Sequence, residues 1–192
     1  MASPLYADTR NKILTAAAEL LKEKSFFEMT LADVAAKAGV SKGTLYYYYN
    51  NKNDILFDTA DRYLDSLSDD LLSWVDNAEK DTSMPRLVRY VLSCGVFNES
   101  GNLRIYLISE AVSADGGIRD KLLQKYGYFK SILAQRIAAR RPGADGDYLA
   151  WLLLTVMDGL IIQNQLRGDM DVAGFIERTA SLFEKDAQKN LY

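Results

Sequence analysis

The stretch from Thr30 to Lys52 constrains the fold of this 192-residue chain most, because three helix starts fall within it. Thr30 is placed as the N-cap of a first helix, and Asp33 three positions later completes a capping box. Gly39 follows the apolar residues of that helix and is the usual left-handed residue at a helix end. Ser41 then caps a second helix. The pattern predicts two short helices joined by a tight turn, the helix-turn-helix arrangement.

The second short helix carries an unusual run of tyrosines. Leu45 and Tyr49 lie four residues apart, so we expect both to face the core. Consecutive residues point in different directions around a helix, so Tyr46 to Tyr49 cannot all be buried. At least two exposed tyrosines are expected, which is uncommon on a surface without a partner. The alternative is a plain three-helix domain with surface aromatics. Asn51, followed by Asp54, is placed as the cap of a third helix.

The residues around the start of the second helix suit a close approach to DNA. In a helix-turn-helix the first turn of the second helix enters the major groove. Small residues let the backbone come near, helix-start N–H groups favour a phosphate, and lysines neutralise phosphates. Tyrosines offer hydroxyls to phosphates and ring faces to sugars or thymine methyl groups. The residues predicted to read or approach DNA are Ser41, Lys42, Gly43, Thr44, Tyr46 and Tyr47, and those predicted to fix the DNA backbone are Thr30, Tyr48 and Lys52.

Residues from about Thr9 to Leu56 resemble the DNA-binding domain of the tetracycline-repressor (TetR) family of bacterial transcription regulators. The likeness covers about a quarter of the chain, and the rest is similar only in layout. Ser25 stands where the family usually has Gly, and Tyr48 where it often has His, a residue that this chain lacks. The residues that carry the likeness are Thr9-Arg10-Asn11-Lys12-Ile13-Leu14, Ala16-Ala17, Thr30 to Ala35, Ala38-Gly39-Val40-Ser41-Lys42-Gly43-Thr44-Leu45-Tyr46, Tyr49 and Lys52.

The resemblance implies an all-α protein that binds a palindromic double-stranded DNA operator as a homodimer. It implies release when a small molecule fills the C-terminal half, and dimerisation through the last two long helices as a four-helix bundle. We expect a helix-turn-helix DNA-binding domain over residues 1–51, joined by a long helix to a ligand-binding and dimerisation domain over residues 52–192.

Apolar residues at helical spacing predict about nine helices and no strand. The first is expected from about Arg10 to Lys24, capped by Thr9, after a loose arm of residues 1–8. The long helix is expected from Lys52 to about Asn77. Two helices follow before Gly116, and three more at about Ile118 to Arg140, Gly146 to Leu166 and Val172 to Gln188. Val112 and Leu123 are expected on apolar faces.

The charge balance limits how the chain can bind DNA. The net charge is −3, which by itself argues against a nucleic-acid-binding protein. Residues 1–55 hold seven Lys and Arg against six Asp and Glu, so most of the acid lies later in the chain. A locally basic edge predicts modest non-specific affinity. A sequence-indifferent architectural DNA-binding protein is the alternative function, but it would need a broad basic surface.

Other classes of protein find little support. Cys94 is the only cysteine, which fits a reducing cytosol, and the lack of His disfavours zinc; no metal or cofactor is expected. The N-terminus lacks the features of a signal peptide. The apolar run from Trp151 to Ile162 is broken by Asp158 and is short for a bilayer span. We therefore expect a cytoplasmic protein without a membrane partner.

A small helical enzyme is a further hypothesis. Tyr126 and Lys130 have the Tyr-x-x-x-Lys spacing of short-chain dehydrogenases. That family also needs a Gly-rich nucleotide-binding turn after a strand, which the sequence lacks. Nothing in the sequence orients a nucleophile, so no enzyme is expected.

The C-terminal half has the composition of a ligand-binding helical bundle, although most of its rings would also suit an ordinary core. Asp158 lies inside an apolar helix, where an unpaired carboxylate is costly, so it needs a partner. We expect an apolar or aromatic effector, cationic in view of the acids. The candidate ligand-binding residues are Tyr90, Phe97, Tyr106, Glu110, Tyr126, Phe129, Trp151 and Asp158.

The last two helices carry wide apolar faces. These suit the homodimer that the resemblance implies, and a tail that packs only within its own chain is the alternative. The faces comprise Leu152, Val156, Leu160 and Gln163 on one helix, and Val172, Phe175, Ile176, Thr179 and Phe183 on the other.

Overall fold

The computed structural model describes residues 4–75, 83–96, 101–113 and 117–184. Over these ranges the chain forms nine helices and no strand, so the predicted all-α class is confirmed. The helices are α1 (Pro4–Glu23), α2 (Leu31–Ala38), α3 (Lys42–Tyr48), α4 (Lys52–Val75), α5 (Met84–Val96), α6 (Gly101–Ser113), α7 (Gly117–Arg140), α8 (Gly146–Arg167) and α9 (Val172–Ser181).

The described residues form two compact units. The first lies within residues 1–65 and 102–122 and contains α1 to α3, the first part of α4, α6 and the start of α7. The second lies within residues 66–101 and 123–192 and contains α5, α8, α9 and the remainder of α4 and α7. A functional boundary between residues 51 and 52 stays a prediction.

The core of the first unit is built from the apolar faces of its short helices. α1 packs against α2, and α2 packs against α3. Each fully buried aliphatic or aromatic side chain contributes about 1.5–3 kcal/mol relative to an exposed one. The buried side chains of the helix-turn-helix region and its supports include Ile13, Ala17, Phe26, Met29, Val34, Leu45, Tyr49, Ile55 and Leu56.

Helix α1 begins at Pro4, earlier than the predicted start at Arg10. Thr9 lies inside the helix, so the prediction that it is the N-cap is wrong, and the described part of the predicted loose arm is helical. Proline suits the first turn of a helix, and nothing between Pro4 and Thr9 stops one. An ion pair from Lys12 to Asp8, 2.7 Å long, joins neighbouring turns there.

Two apolar residues lie outside the faces predicted for them. Val112 on α6 is 79% exposed and Leu123 on α7 is 63% exposed. On α6 the buried apolar residues are Leu103, Leu107 and the neighbouring Ala111, and on α7 burial falls on Ile132, Leu133 and Ile137. One position along a helix turns the side chain by about 100°. Apolar residues on several sides of these helices therefore leave the buried face ambiguous in sequence.

The predicted end of α9 at about Gln188 differs from the observed end at Ser181. The N–H groups of Leu182, Phe183 and Glu184 each bond a carbonyl three residues earlier, at 3.0–3.2 Å. This tighter pattern replaces the α-helical one. The predicted end of α4 at about Asn77 lies outside the described residues.

In the second unit α5 packs against both α8 and α9. Gly95 marks the close approach of α5 to α8, because a Cβ there would lie 2.2 Å from Met157 Cγ. On the surface, Arg89 of α5 pairs with Glu177 at 2.9 Å and Glu184 at 3.2 Å. Exposed pairs of this kind contribute little, so apolar packing holds the unit together.

Helix α8 is the one described helix that is long and apolar enough, by length and composition alone, to cross a membrane. It continues past the predicted apolar run to Arg167. About a third of its most apolar window is buried within the protein. A single helix of this kind is weak evidence, because core helices of other proteins pass the same test.

Candidate nucleic-acid interface

The first helix of the motif starts at the predicted cap. Thr30 Oγ1 accepts from the Asp33 N–H at 3.1 Å, and Asp33 Oδ2 accepts from the Thr30 N–H at 2.9 Å. At the other end Gly39 has φ 66°, a left-handed conformation that glycine adopts without a steric penalty. The Val40 N–H then bonds the Ala35 carbonyl at 3.0 Å. The capping box and the left-handed stop predicted from sequence are confirmed.

Lys24, the residue directly after α1, strengthens this cap. Lys24 Nζ donates to Asp33 Oδ2 at 2.7 Å. That bond, with those from the Thr30 N–H, lowers the pKa of Asp33 from its usual 3.8 to about 2. Lys37 at the end of α2 pairs with Glu23 of α1. Both ion pairs join α2 to α1, so α2 has a fixed orientation on the helix behind it.

The turn before α2 is made by Ser25 instead of the glycine usual in the resembled family. The Ser25 N–H and Oγ both donate to Glu28 Oε2, at 3.0 and 2.8 Å. These bonds lower the pKa of Glu28. The Met29 N–H bonds the Ser25 carbonyl at 3.1 Å. Among the described residues every positive φ belongs to a glycine, so this turn forms without a left-handed residue.

The second helix also starts at its predicted cap. Ser41 Oγ accepts from the Thr44 N–H at 3.0 Å, and the two hydroxyl oxygens lie 2.8 Å apart. At the far end the Tyr49 N–H bonds the Leu45 carbonyl at 2.9 Å. The cap therefore joins Ser41 and Thr44, two of the residues predicted to approach DNA.

The exposed face of α3 is formed by the residues predicted to read DNA. Ser41, Lys42, Gly43, Tyr46 and Tyr47 are exposed, whereas Thr44 and Tyr48 are half-buried. The ring-bearing side chain of Tyr47 is 75% exposed. Leu45 and Tyr49 are buried, so both the predicted core face and the predicted pair of exposed tyrosines are confirmed.

Lys42 has no ion-pair partner among the described residues. The other lysine of the motif, Lys37, pairs with Glu23. The ammonium group of Lys42 is therefore available to a phosphate. Because the described cations of α2 and α3 are only these two, the positive charge on this face is small.

A buried polar network fixes the end of α3. Asp58 Oδ2 accepts from Tyr49 OH at 2.8 Å and from Arg10 Nη2 at 2.5 Å. Burial and the bond to Asp58 raise the pKa of Tyr49, and the bond to Asp58 raises the pKa of Arg10. A buried tyrosine hydroxyl needs such a partner. The network joins α1, the C-cap of α3 and α4, so the three helices hold one another in place.

Lys52, predicted to contact the DNA backbone, is engaged within the protein. Its Nζ donates to the carbonyls of Phe26, Phe27 and Met29 at 3.0, 3.2 and 3.4 Å. It also lies 4.6 Å from the centre of the Phe26 ring. An ammonium group has three protons to donate, so these carbonyls use its full capacity. The contacts favour a structural role for Lys52, and its DNA-backbone role stays a prediction.

One residue near this face was missed by sequence reasoning. Tyr6, in the first turns of α1, has its ring centre 4.6 Å from that of Tyr48 and 6.2 Å from that of Tyr47. The Tyr47 and Tyr48 rings are 5.3 Å apart. The sequence signal that could have revealed Tyr6 was its spacing from Arg10. Tyr6 lies four residues before Arg10, so the two share a helical face.

The predicted ligand-binding residues fall into both units. Tyr106 and Glu110 belong to the first, where Tyr106 OH donates to Glu110 Oε2 at 3.3 Å. Burial and this carboxylate raise the pKa of Tyr106 to about 12. Tyr106 also packs on Phe26, with ring centres 4.5 Å apart, and lines an open cavity of about 540 Å³ with Phe27.

In the second unit Tyr126 OH lies 3.0 Å from both carboxylate oxygens of Asp158. The partner that Asp158 was predicted to need is thus a tyrosine from α7.

Tyr90 is hydrogen-bonded to Cys94. Burial raises the pKa of Tyr90, and burial also raises the pKa of the Cys94 thiol. A raised thiol pKa disfavours a reactive cysteine.

The remaining predicted ligand-binding residues are less clearly placed for that role. Phe129 is half-buried on α7. Trp151 on α8 is 64% exposed, as a surface residue would be. Phe97 lies outside the described residues. The ligand-binding set as a whole stays a prediction.

Residues 13–59 match the tetR family of bacterial regulatory proteins. The matched segment contains α2 and α3 with their caps and the first part of α4.

Two relatives are also regulators. HbdR of Aromatoleum sp., an HTH-type transcriptional regulator, is 34% identical over 67 residues, which are 35% of this chain but only 29% of HbdR. The transcriptional regulator MftR of Mycobacterium tuberculosis is 25% identical over 153 residues, 77% of this chain and 75% of MftR.

The fold is shared by solved regulator structures. One from Saccharomonospora viridis, in complex with choline, superposes with a TM-score of 0.78 over 93% of this chain and 96% of that one, at 18% identity. At this identity the likeness concerns the fold alone.

Proposed function

Because this chain is a transcriptional regulator of the TetR family, we propose that it is a repressor that binds a palindromic operator as a homodimer and leaves it when a small molecule binds. The observation that carries the proposal is the exposed tyrosine face of α3. Two tyrosine rings and one unpaired lysine are exposed on a helix whose start is capped by Ser41 and whose last cap residue, Tyr49, is hydrogen-bonded to Asp58.

The face is suited to reading base edges. Lys42, Tyr46 and Tyr47 are exposed on α3, and in a helix-turn-helix this part of the second helix lies in the major groove. A lysine can recognise guanine acceptors, and tyrosine rings can pack on thymine methyl groups. Because α3 is held to α1 and α4 through Asp58, it does not need to be ordered when DNA binds.

The residues around this face are suited to positioning the duplex. Thr30 and Ser41 carry hydroxyl groups at the starts of α2 and α3, and Tyr48 carries one at the end of α3. Phosphate contacts from such groups set the register of a protein on the duplex. Gly43 presents bare backbone beside them. The hydroxyl groups of Thr44 and Ser41 are hydrogen-bonded to each other, so any phosphate contact there involves both residues.

The small charge on this face favours sequence reading over general DNA coating. Lys37 is occupied by Glu23, Lys52 by three carbonyls, and the whole chain has a net charge of −3. Non-specific binding depends on how many phosphates are neutralised. Few available cations predict weak non-specific binding, so an architectural DNA-binding function is disfavoured.

Dimerisation is proposed on an exposed apolar face of α8 and α9. Large apolar side chains recur there at helical spacing and remain in solvent in the single chain. Gly159 lies within the same stretch of α8, and a Cβ built on it meets nothing within 4 Å, so this chain's own packing does not require a glycine there. The exposed residues are Tyr148, Trp151, Leu152, Ile162, Leu166, Phe175 and Leu182.

Large exposed apolar surfaces usually mark an interaction site. A two-fold dimer would place two α3 helices on successive turns of the same DNA face, about 34–36 Å apart. Trp151 fits this face better than a ligand pocket because of its exposure.

The effector is proposed to bind in the helical C-terminal part and to be aromatic or apolar with a positive charge. Asp158 supplies a carboxylate beside the Tyr126 hydroxyl, and tyrosine rings favour cations. The choline bound to a protein of the same fold supports a cationic ligand. Thermal shift measurements with aromatic amines and with matched carboxylic acids test this, and stabilisation by the acids alone would reject it.

Selection of bound duplexes from a random DNA pool by the full chain tests the proposed function. We expect enrichment of an inverted repeat with half-sites about 10 base pairs apart, or a multiple. Recovery of unrelated sequences, with binding that disappears steeply as salt rises, would reject an operator-binding repressor.

A further inference from the structure

We propose that Tyr6 is a positioning residue for DNA recognition, which holds the rings of Tyr47 and Tyr48 in their DNA-binding orientation. The proposal rests on the proposed function, because it assigns Tyr6 a role in the same interface. Tyr6 belongs to the first turns of α1, outside the helix-turn-helix and outside the family-matched residues 13–59.

The three rings form one cluster. Tyr6 lies against Tyr48 in a tilted arrangement, with an interplanar angle of 36°, and meets Tyr47 edge-on at 78°. Tyr47 and Tyr48 also meet edge-on, at 85°. Aromatic pairs prefer such tilted and edge-on arrangements at these separations. Each ring therefore contacts the other two in a favourable geometry.

The cluster matters because Tyr47 has little other support. Its side chain is 75% exposed, and it stands on a helix of only seven residues. A free tyrosine side chain would sample several rotamers and lose that freedom on binding DNA. The Tyr6 ring lies beside Tyr47 in the unbound protein, so the Tyr47 side chain is already partly ordered before DNA binds.

Tyr6 is itself held in place. It shares a helical face with Arg10, whose guanidinium bonds Asp58 at 2.5 Å, and Asp58 also accepts from Tyr49 at the end of α3. The same carboxylate thus fixes the helix that carries Tyr6 and the helix that carries Tyr47. The separation of the three rings is set by that shared anchor.

The test compares operator affinity with affinity for an unrelated duplex, using the full chain and the operator obtained by selection. Tyr6→Ala is expected to weaken operator binding about 2- to 12-fold, the cost of ordering one side chain on binding. Binding to the unrelated duplex should change less, so the specificity ratio falls. Tyr6→Phe keeps the ring and should bind as the wild type does.

Two further variants separate positioning from stability. Tyr6→Leu keeps an apolar helical residue without the ring and should match Tyr6→Ala; it carries the test if the alanine variant folds poorly by its thermal unfolding midpoint. Tyr128→Ala removes an exposed tyrosine from α7 in the other unit and should leave the ratio unchanged.

A background without Tyr47 and Tyr48 decides how Tyr6 acts. In the Tyr47→Ala, Tyr48→Ala double variant, adding Tyr6→Ala should change operator binding by less than about 2-fold, the scatter for independent sites. A full further loss there would overturn the proposal, since Tyr6 would then contact DNA by itself. An unchanged ratio for Tyr6→Ala in the wild-type background would overturn it too. If the wild-type protein selects no operator, the proposed function itself fails.

Discussion

At the scale of single residues, neighbouring tyrosines on α3 have opposite environments. Tyr49 is buried and its hydroxyl donates to Asp58, which compensates the cost of removing that group from water. Tyr47, two positions earlier, has its ring largely in solvent beside Tyr6 and Tyr48. Packing within the protein explains why Tyr49 is present, whereas the exposed Tyr47 is available to a partner. Substitutions at the two positions should therefore have different consequences.

We expect Tyr47→Ala to weaken operator binding by about 1–3 kcal/mol, the range for a side chain that contacts a base edge. Thermal stability should hardly change, because the residue is exposed. A gel-shift titration on the selected operator measures the first effect. An unchanged titration curve would remove Tyr47 from the reading surface.

The two lysines predicted to meet phosphates should behave differently. Lys42→Ala should reduce the dependence of log affinity on log salt by about 0.9, the value for one phosphate contact. Lys52→Ala should lower stability by about 1–3 kcal/mol, because three carbonyls lose a charged donor. Affinity titrations at several salt concentrations and thermal unfolding separate the two. A reduced salt slope with unchanged stability in the Lys52 variant would restore its DNA-backbone role.

At the scale of elements, caps decide where the helices begin and end. Thr30, Ser41 and Asn51 each accept a hydrogen bond from the backbone N–H three residues later, at 3.1, 3.0 and 2.9 Å. These are local bonds, so the sequence predicts them without knowledge of the fold. Gly39 ends α2 for an equally local reason, its φ of 66°.

Two glycines of the motif provide a matched pair of substitutions. Gly39→Ala should destabilise the protein by about 1–2 kcal/mol, because an alanine is strained in the left-handed region. Gly43→Ala should stabilise it by about 0.5–1 kcal/mol, since a Cβ in α3 would meet only Ser41 Oγ, at 3.8 Å. We expect Gly43→Ala nevertheless to weaken operator binding, because its methyl group would face DNA. Unaltered binding by this variant would show that the backbone does not approach DNA at Gly43.

The cap of α2 should be sensitive to acid. The folded pKa of Asp33 is about 2, below its usual 3.8, mainly because Lys24 donates to it. A lowered pKa means that its stabilisation is complete above about pH 4 and is lost as the pH falls through 2. The difference in unfolding midpoint between the wild type and Asp33→Asn should therefore shrink between pH 4 and pH 2. A difference that stays constant over this window would contradict the assignment.

Contacts between residues far apart in the chain could not be predicted from the sequence. Arg10 and Asp58 are 48 positions apart, and Tyr126 and Asp158 are 32 apart, so no local pattern pairs them. The start of α1 was missed although Pro4 suits a first turn, because residues 1–8 show no clear apolar period. The faces of α6 and α7 were misjudged at Val112 and Leu123, where apolar residues lie on more than one side.

At the scale of the whole molecule, packing among the described residues leaves the surface apolar side chains of α8 and α9 without a partner element. Inside the second unit α5 packs against both helices, with Met157 and Ile161 of α8 beside Gly95. The exposed side keeps large rings at Trp151 and Phe175. A second copy of the chain on this side would complete the burial that α5 begins, which is why we place the proposed dimer there.

We expect Trp151→Glu to convert the proposed dimer to a monomer, because a charge buried in an apolar interface is left desolvated. Operator affinity should then fall sharply, since one α3 helix would have to bind without its partner. Sedimentation velocity measures the first effect and gel shift the second. Val112→Glu places the same charge on an exposed apolar position of α6 and should stay dimeric. A Trp151→Glu protein that remains a dimer would exclude this face as the interface.

The most direct test of the central claim, that α3 reads a DNA sequence, is an equilibrium titration of the selected operator and of the same duplex with one half-site scrambled. Each would be measured at several salt concentrations. The proposed function predicts a preference of at least about 1,000-fold for the intact operator over unrelated DNA, with the half-scrambled duplex in between. The preference should survive as salt lowers both affinities. Equal affinities that fall together with salt would contradict it and show that the tyrosine face does not distinguish one sequence from another.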